Sequence, residues 1–302
     1  MSNQNYQMRC KNCNQLFHTV SNCNMPIKSM GIACIRPDTN QILLIRRKHS
    51  IDFIDFLRGE YYDIPTGRVK NVNLLTEQFR KMTHEEHKIL TNVKNYATLC
   101  NYANIYMHPN RLHNTHYISA ADIFNKISTG IRFSINQQCN SFRQISQVVQ
   151  VSQGQSIRYN VVYKNILTLD SLLLNNPSEF EFPENSVPKG RCELNETNID
   201  AALREFEEET GINRNAIEIK LNSSGYPISL SETYRGSNNR LYHTTIFIAR
   251  LTDTSTISNI DNHICDEIGH IGWYNLQDAK AAIRPYHHRR IELIDQIYKI
   301  IS

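Results

Sequence analysis

Residues 190–212 read Gly-Arg-Cys-Glu-Leu-Asn-Glu-Thr-Asn-Ile-Asp-Ala-Ala-Leu-Arg-Glu-Phe-Glu-Glu-Glu-Thr-Gly-Ile, and four carboxylates crowd about one helical turn: Glu205, Glu207, Glu208 and Glu209. Like charges three and four residues apart destabilise a bare helix. A divalent cation offsets that cost, because hard cations take carboxylate oxygens. The flanks specify a helix. Thr197 and Asp200 resemble a capping box, with Asp where Glu is usual. Ile199, Ala202, Leu203 and Phe206 recur at i, i+3, i+4 and i+7, one apolar face. Gly211 stands where a left-handed C-terminal cap is wanted. Glu205, Glu208 and Glu209 share a different face, so the spacing predicts a helix that packs with one side and holds metal with the other.

Gly190, Glu196, Arg204-Glu205-Phe206-x-Glu208-Glu209 and Gly211-Ile212 together resemble a complete Nudix box, and Pro188-Lys189-Gly190 resembles its lead-in. The resemblance implies an α+β chain: a strand–loop–helix–loop module within an α/β/α sandwich. It implies a Mg²⁺- or Mn²⁺-dependent hydrolase of nucleoside diphosphates linked to another group. Glu205, Glu208 and Glu209 would hold the metal, and Arg204 would fix the loop by pairing with Glu196. A further acidic group often comes from a loop beyond the box, and Asp266–Trp273 resembles it, with Glu267 as the candidate. A pyrophosphate carries dense charge that metal ions neutralise and position.

Cys10-x2-Cys13-x4-His18-x4-Cys23 has zinc-knuckle spacing, a structural Zn²⁺ set of three thiolates and one imidazole. Familiar knuckles carry Gly at the positions of Asn14 and Phe17; Asn accepts left-handed backbone, Phe much less. The other five cysteines, Cys34, Cys100, Cys139, Cys192 and Cys265, are scattered. With no secretory pattern at the N-terminus, they suit a reduced, intracellular compartment and not a disulfide framework. No run of 18 apolar residues exists to form a transmembrane helix. A net charge of +4 permits a polyanionic partner without establishing one.

The chain divides into the knuckle (1–25) and a Nudix domain (26–302). Met30–Ile35 and Gln41–Arg47 read as strands around a turn at Pro37–Asn40. A mostly helical insertion occupies about 70–175, clearest at Thr76–Leu90 and Ala120–Ile127, with a polar loop near Asn136–Gln155. Strands follow near Ala216–Leu221 and Leu241–Leu251, then helices at Asn275–Ile283 and Arg289–Ile301. The basic run Pro285–Arg290 is either a phosphate-binding edge or a solvated helix end.

Ile45–Tyr61 and Pro26–Ile32 resemble the viral mRNA-decapping Nudix enzymes of poxviruses, asfarviruses and mimivirus-like viruses. That resemblance implies cleavage of capped RNA to 7-methylguanosine diphosphate and 5′-monophosphate RNA, in the host cytoplasm. Some relatives also cleave diphosphoinositol polyphosphates. Such an RNA partner needs phosphate contacts and stacking rings, and the zinc knuckle is itself an RNA-binding module type. Arg46 and Lys189 are candidates for phosphate. Methylated guanine is cationic and stacks on aromatic rings, with Phe53 and Tyr242 as candidates. Two other readings stay open: a diphosphoinositol polyphosphate or nucleotide pyrophosphohydrolase, and an RNA-binding protein without catalysis.

Overall fold

The computed structural model describes residues 9–10, 12–16, 18, 23–66, 68–105, 115–132, 146–151, 158–163, 166–236, 240–252 and 265–301. Phe17, Cys139 and much of the expected polar loop lie outside them. In chain order the elements are β1 (Ile27–Ile35), β2 (Ile42–Arg47), α1 (Ile51–Leu57), β3 (Tyr62–Asp63), β4 (Arg68–Val69), α2 (Val72–Lys81), α3 (His84–Asn92), α4 (Tyr96–Tyr102), α5 (Thr115–Thr129), β5 (Ile131–Arg132), β6 (Ser146–Val151), β7 (Arg158–Tyr163), β8 (Ile166–Leu167) and α6 (Leu169–Asn175). Then come β9 (Asn185–Ser186), β10 (Lys189–Arg191), α7 (Asn198–Thr210), β11 (Ile217–Ile219), β12 (Ser229–Arg235), β13 (Leu241–Leu251), β14 (Ile268–Tyr274), α8 (Leu276–Ala282) and α9 (His288–Ile301). They form two compact units, Met1–Lys48 with Glu184–Ser302, and His49–Pro183.

The first unit is a mixed sheet in the order β11-β13-β1-β2-β14, with β10 on β1, β12 on β13 and β9 on β2. At its centre β1 runs parallel to β13, from Ile27 opposite Tyr242 to Ile35 opposite Arg250. Strands covered on both faces read as continuous apolar runs, which Ile32–Ile35 and Ile42–Ile45 are. Alternate residues serve opposite layers. Ile32, Cys34, Leu43 and Ile45 pack with Ala202 and Phe206 of α7. Ala33, Ile35, Ile42 and Leu44 pack with Ala279 of α8 and Ile294, Ile297 and Ile301 of α9. The result is the expected three-layer sandwich.

The second unit buries Phe53, Phe56, Phe79, Leu99 and Phe124 among its helices. It begins at His49 and ends at Pro183, wider than the 70–175 span that helical patterning marks. Thr76–Leu90 is two helices, not one. Thr83 caps α3, and the buried Glu86 carboxylate completes the capping box while accepting from Ser50 N and Ser50 Oγ at 2.7 Å each. The stretch expected as a polar loop contains β6, paired antiparallel with β7.

Candidate active site

Helix α7 forms where its caps and periodicity place it. Thr197 Oγ1 accepts from Asp200 N at 3.1 Å, and Gly211 closes the helix at φ 69°. Only half of the reciprocal box forms. Asp is one methylene shorter than Glu, and its carboxylate takes the Thr197 hydroxyl instead of the backbone N–H. Phe206, Ala201 and Ala202 are fully buried, which pins the opposite side of the helix against β10.

The carboxylates are held individually. A Cβ on Gly190 would overlap the Glu205 carboxylate, so only glycine permits this approach. Glu209 is buried and accepts the Lys189 backbone N–H at 2.7 Å. Glu208 stands with its side chain 59% exposed. Arg204 binds Glu196 through two nitrogens at 2.9 and 3.0 Å, and reaches Glu205 at 2.8 Å, Glu208 at 3.2 Å and the Arg191 carbonyl at 3.1 Å. One guanidinium therefore ties the β10–α7 loop to the carboxylate face. Its presence holds the Glu196 carboxyl below its usual range. Burial raises the Glu205 carboxyl, against the pull of Arg204, and Glu208 and Glu267 add to the rise. Burial likewise pushes Glu209 up to about 7, although the Lys189 N–H opposes it.

Glu267 is near enough to raise Glu205. It stands in the bend just before β14, its carbonyl accepting from Lys48 N at 2.8 Å and its exposed carboxylate 3.9 Å from Arg47. Arg47 is one of several basic residues, with Arg46 and Lys48, that the sequence offers for phosphate. Leu43 and Ile45 face α7, and period-two alternation puts Arg47, not Arg46, on that side. Its charge lowers Glu209.

Two expected substrate contacts stand differently. Phe53 is wholly buried in the helical unit, its ring edge-on to Tyr102 at 6.2 Å, so it offers no face to a base. Tyr242 is half-buried on β13 and stacks on Tyr234, centroids 5.5 Å apart and planes 13° apart. One face of Tyr242 is therefore already covered.

At the N-terminus, Cys10, Cys13, His18 and Cys23 bring their ligand atoms within 4.8 Å of one another. Tetrahedral Zn²⁺ with ~2.3 Å bonds to sulfur needs such a gathering. Asn14 takes φ 60°, the left-handed turn that the knuckle spacing requires. Asn12 Nδ2 donates to Cys23 Sγ at 3.3 Å and to the Met25 carbonyl at 3.0 Å. Burial raises the Cys23 thiol, but hydrogen bonds from Asn12, Met25 and His18 outweigh it and bring it down to about 6. Soft thiolates and imidazole fit zinc.

Among the described residues this is the one group of three or more such ligands gathered so closely. The α7 carboxylates are parted, Glu205 and Glu208 toward Arg204 and Glu209 toward Lys189. Their carboxylate oxygens nonetheless suit a hard divalent cation. No helix among the described residues is long and apolar enough to cross a membrane.

Residues 166–296 match the NUDIX domain family. A mimivirus protein from Acanthamoeba polyphaga mimivirus, named "Putative mRNA-decapping protein", is 28% identical over 266 residues, 87% of this chain and 66% of that protein's length. Among solved structures, a C. elegans Ap4A hydrolase complex shares 18% identity over 39% of this chain and 77% of its own, with a TM-score of 0.33. The M. smegmatis Nudix hydrolase RenU shares 12% over 41% and 72%, with a TM-score of 0.29. The matched segment opens after most of the helical unit, while β1 and β2, which complete the sheet, precede it. The box, β10 and α7 thus lie within the part of the chain that matches the NUDIX domain family.

Proposed function

We propose that this protein is a metal-dependent pyrophosphohydrolase that removes mRNA caps, releasing 7-methylguanosine diphosphate and leaving 5′-monophosphate RNA in the host cytoplasm. The observation that carries the reading is the seating of two neighbouring carboxylates, half-buried Glu205 over Gly190 beneath the Arg204 guanidinium and buried Glu209 on the Lys189 N–H. Glu205, Glu208 and Glu209 would hold Mg²⁺ or Mn²⁺, and Glu267 would join them from the start of β14. The cation supplies charge neutralisation for the phosphoanhydride. Arg204 orients Glu205 and Glu208 and fixes the loop from Arg191 to Glu196. A carboxylate of the set accepts the proton of the attacking water. Of the substrate contacts expected from the sequence, Lys189 and Tyr242 are retained, while Arg47 takes the place of Arg46 on the α7 side. The cap does not use Phe53, whose ring is buried. Decapping rests on the viral relative's name and on the Cys10/Cys13/His18/Cys23 zinc site, a module type used on RNA.

The test is product analysis. Cap-labelled RNA is digested with Mg²⁺ or Mn²⁺ and resolved by chromatography beside a diphosphoinositol polyphosphate. Release of 7-methylguanosine diphosphate is expected. Release of the monophosphate, or turnover of the inositol substrate alone, overturns decapping; no metal-dependent phosphate-bond cleavage on either overturns the hydrolase.

A further inference from the structure

Strand β10 presents different chemistry on its two faces. Gly190 lies under Glu205 on the α7 side, so the Lys189 side chain, one residue earlier, leaves on the α9 side. There it enters a narrow cleft, partly open to solvent, shared with Ser186, Glu232, Thr244 and Arg290 and walled by Ile246.

Three observations say what this cleft would take. Lys189 and Arg290 are two cations in one small space, and among the described residues neither forms a direct ion pair. Like charges held this way are relieved by an anion between them. Next, Thr244 lines the cleft and is 1% exposed, and its buried Oγ1 has no hydrogen-bond partner. The Tyr234 hydroxyl feels Thr244 but is not properly bonded to it. A buried hydroxyl left unpaired costs free energy that a ligand oxygen recovers. Finally, α9 begins at His288 with no acidic residue in its first turn, so its positive end is unopposed near Arg290. Glu232 is the one acidic residue of the lining, and it attracts Lys189. Two cations against one anion leave a net positive lining.

We propose that this cleft anchors a non-scissile phosphate group of the substrate, with Lys189 and Arg290 on its charged oxygens and the Thr244 hydroxyl donating to a third. The identity of the phosphate's carrier rests on the hydrolase reading above; the anion site itself does not. A phosphate of the RNA chain and a phosphate on inositol present the same oxygens.

Inorganic tripolyphosphate, titrated by calorimetry into the full chain in chelator-treated buffer, reads the site without catalysis. The wild-type protein should bind it. Arg290→Gln should weaken binding at least tenfold, Thr244→Val by several-fold, and Arg290→Lys should keep most of it, with thermal unfolding reporting that each variant folds. No wild-type binding, or unchanged affinity in folded Arg290→Gln, overturns the site. With metal restored, Arg290→Gln should raise KM with kcat nearly kept, on capped RNA if the chain is the carrier or on the diphosphoinositol if inositol is. A fall in kcat at constant KM overturns anchoring. Tripolyphosphate binding that Arg290→Gln abolishes, in a wild type that cleaves no phosphoanhydride, leaves the anion site standing and removes the hydrolase reading.

Discussion

At Glu209, burial and one backbone N–H pull in opposite directions, and burial wins. The folded pKa of about 7 lies above the ordinary 4.5, so without divalent cations the folded state binds a proton that the unfolded state has lost. Stability is therefore fully present below about pH 4.5 and falls as pH rises toward 7, by an amount on the order of 2–3 kcal/mol. Lys189, lowered to about 8, is charged in both states across that window and does not alter the sign. Glu209→Gln cannot ionise. In chelator its melting temperature should decline less between pH 5 and 7 than that of the wild type, and with metal its turnover should fall on the order of 100-fold or more. A variant that folds and keeps wild-type turnover removes Glu209 from the site. The box residues were legible because their positions are fixed by spacing along one helix. Arg47 and Phe53 were not, because which side of a strand or helix meets the core is decided by partners far away in sequence. Arg46 and Arg47 look equivalent until Leu43 and Ile45 are seen facing α7.

Helix α7 owes its end to Gly211, whose φ of 69° is left-handed and whose N–H reaches the Glu207 carbonyl at 2.9 Å. An alanine there should cost roughly 1–2 kcal/mol, read as a lower urea midpoint, while Gly211→Asn should cost less. Equal midpoints for alanine and glycine would mean that the cap contributes nothing. Caps, apolar spacing and terminal glycine all agree over this helix, and its boundaries could be read in advance. Elsewhere local signals conflict. The pattern over Thr76–Leu90 stays helical across the break at Met82, and the capping pair Thr83 and Glu86 inside it marks the true restart. Strand β12 alternates between exposed and half-buried, so it has no apolar run to announce it, and the segment resembling an acidic loop, Asp266–Trp273, is mostly β14.

For the whole molecule, the Cys/His quartet and the box sit in the same unit, joined through Asn12 to the residues that open β1. A site this small folds with its metal, whose binding energy is its folding energy. Elemental analysis should find one zinc per chain, absent from a Cys10→Ser, Cys13→Ser variant. That variant should bind capped RNA less tightly, with a raised KM and nearly unchanged kcat, while a small diphosphate substrate is processed as before. Equal impairment of both substrates would make the quartet a prop for the sheet. The knuckle spacing could be read because four ligands fall within a few turns of chain. The pairing of β1 with β13 could not, since those strands come from opposite ends of the sequence. That pairing has a consequence during synthesis. Until Leu241–Leu251 leaves the ribosome, β1 lacks its parallel neighbour, and the apolar runs Ile32–Ile35 and Ile42–Ile45 wait uncovered while the residues of the helical unit are synthesised. For most of its translation the nascent chain carries exposed strand edges, the kind of surface that chaperones shield and that otherwise aggregates.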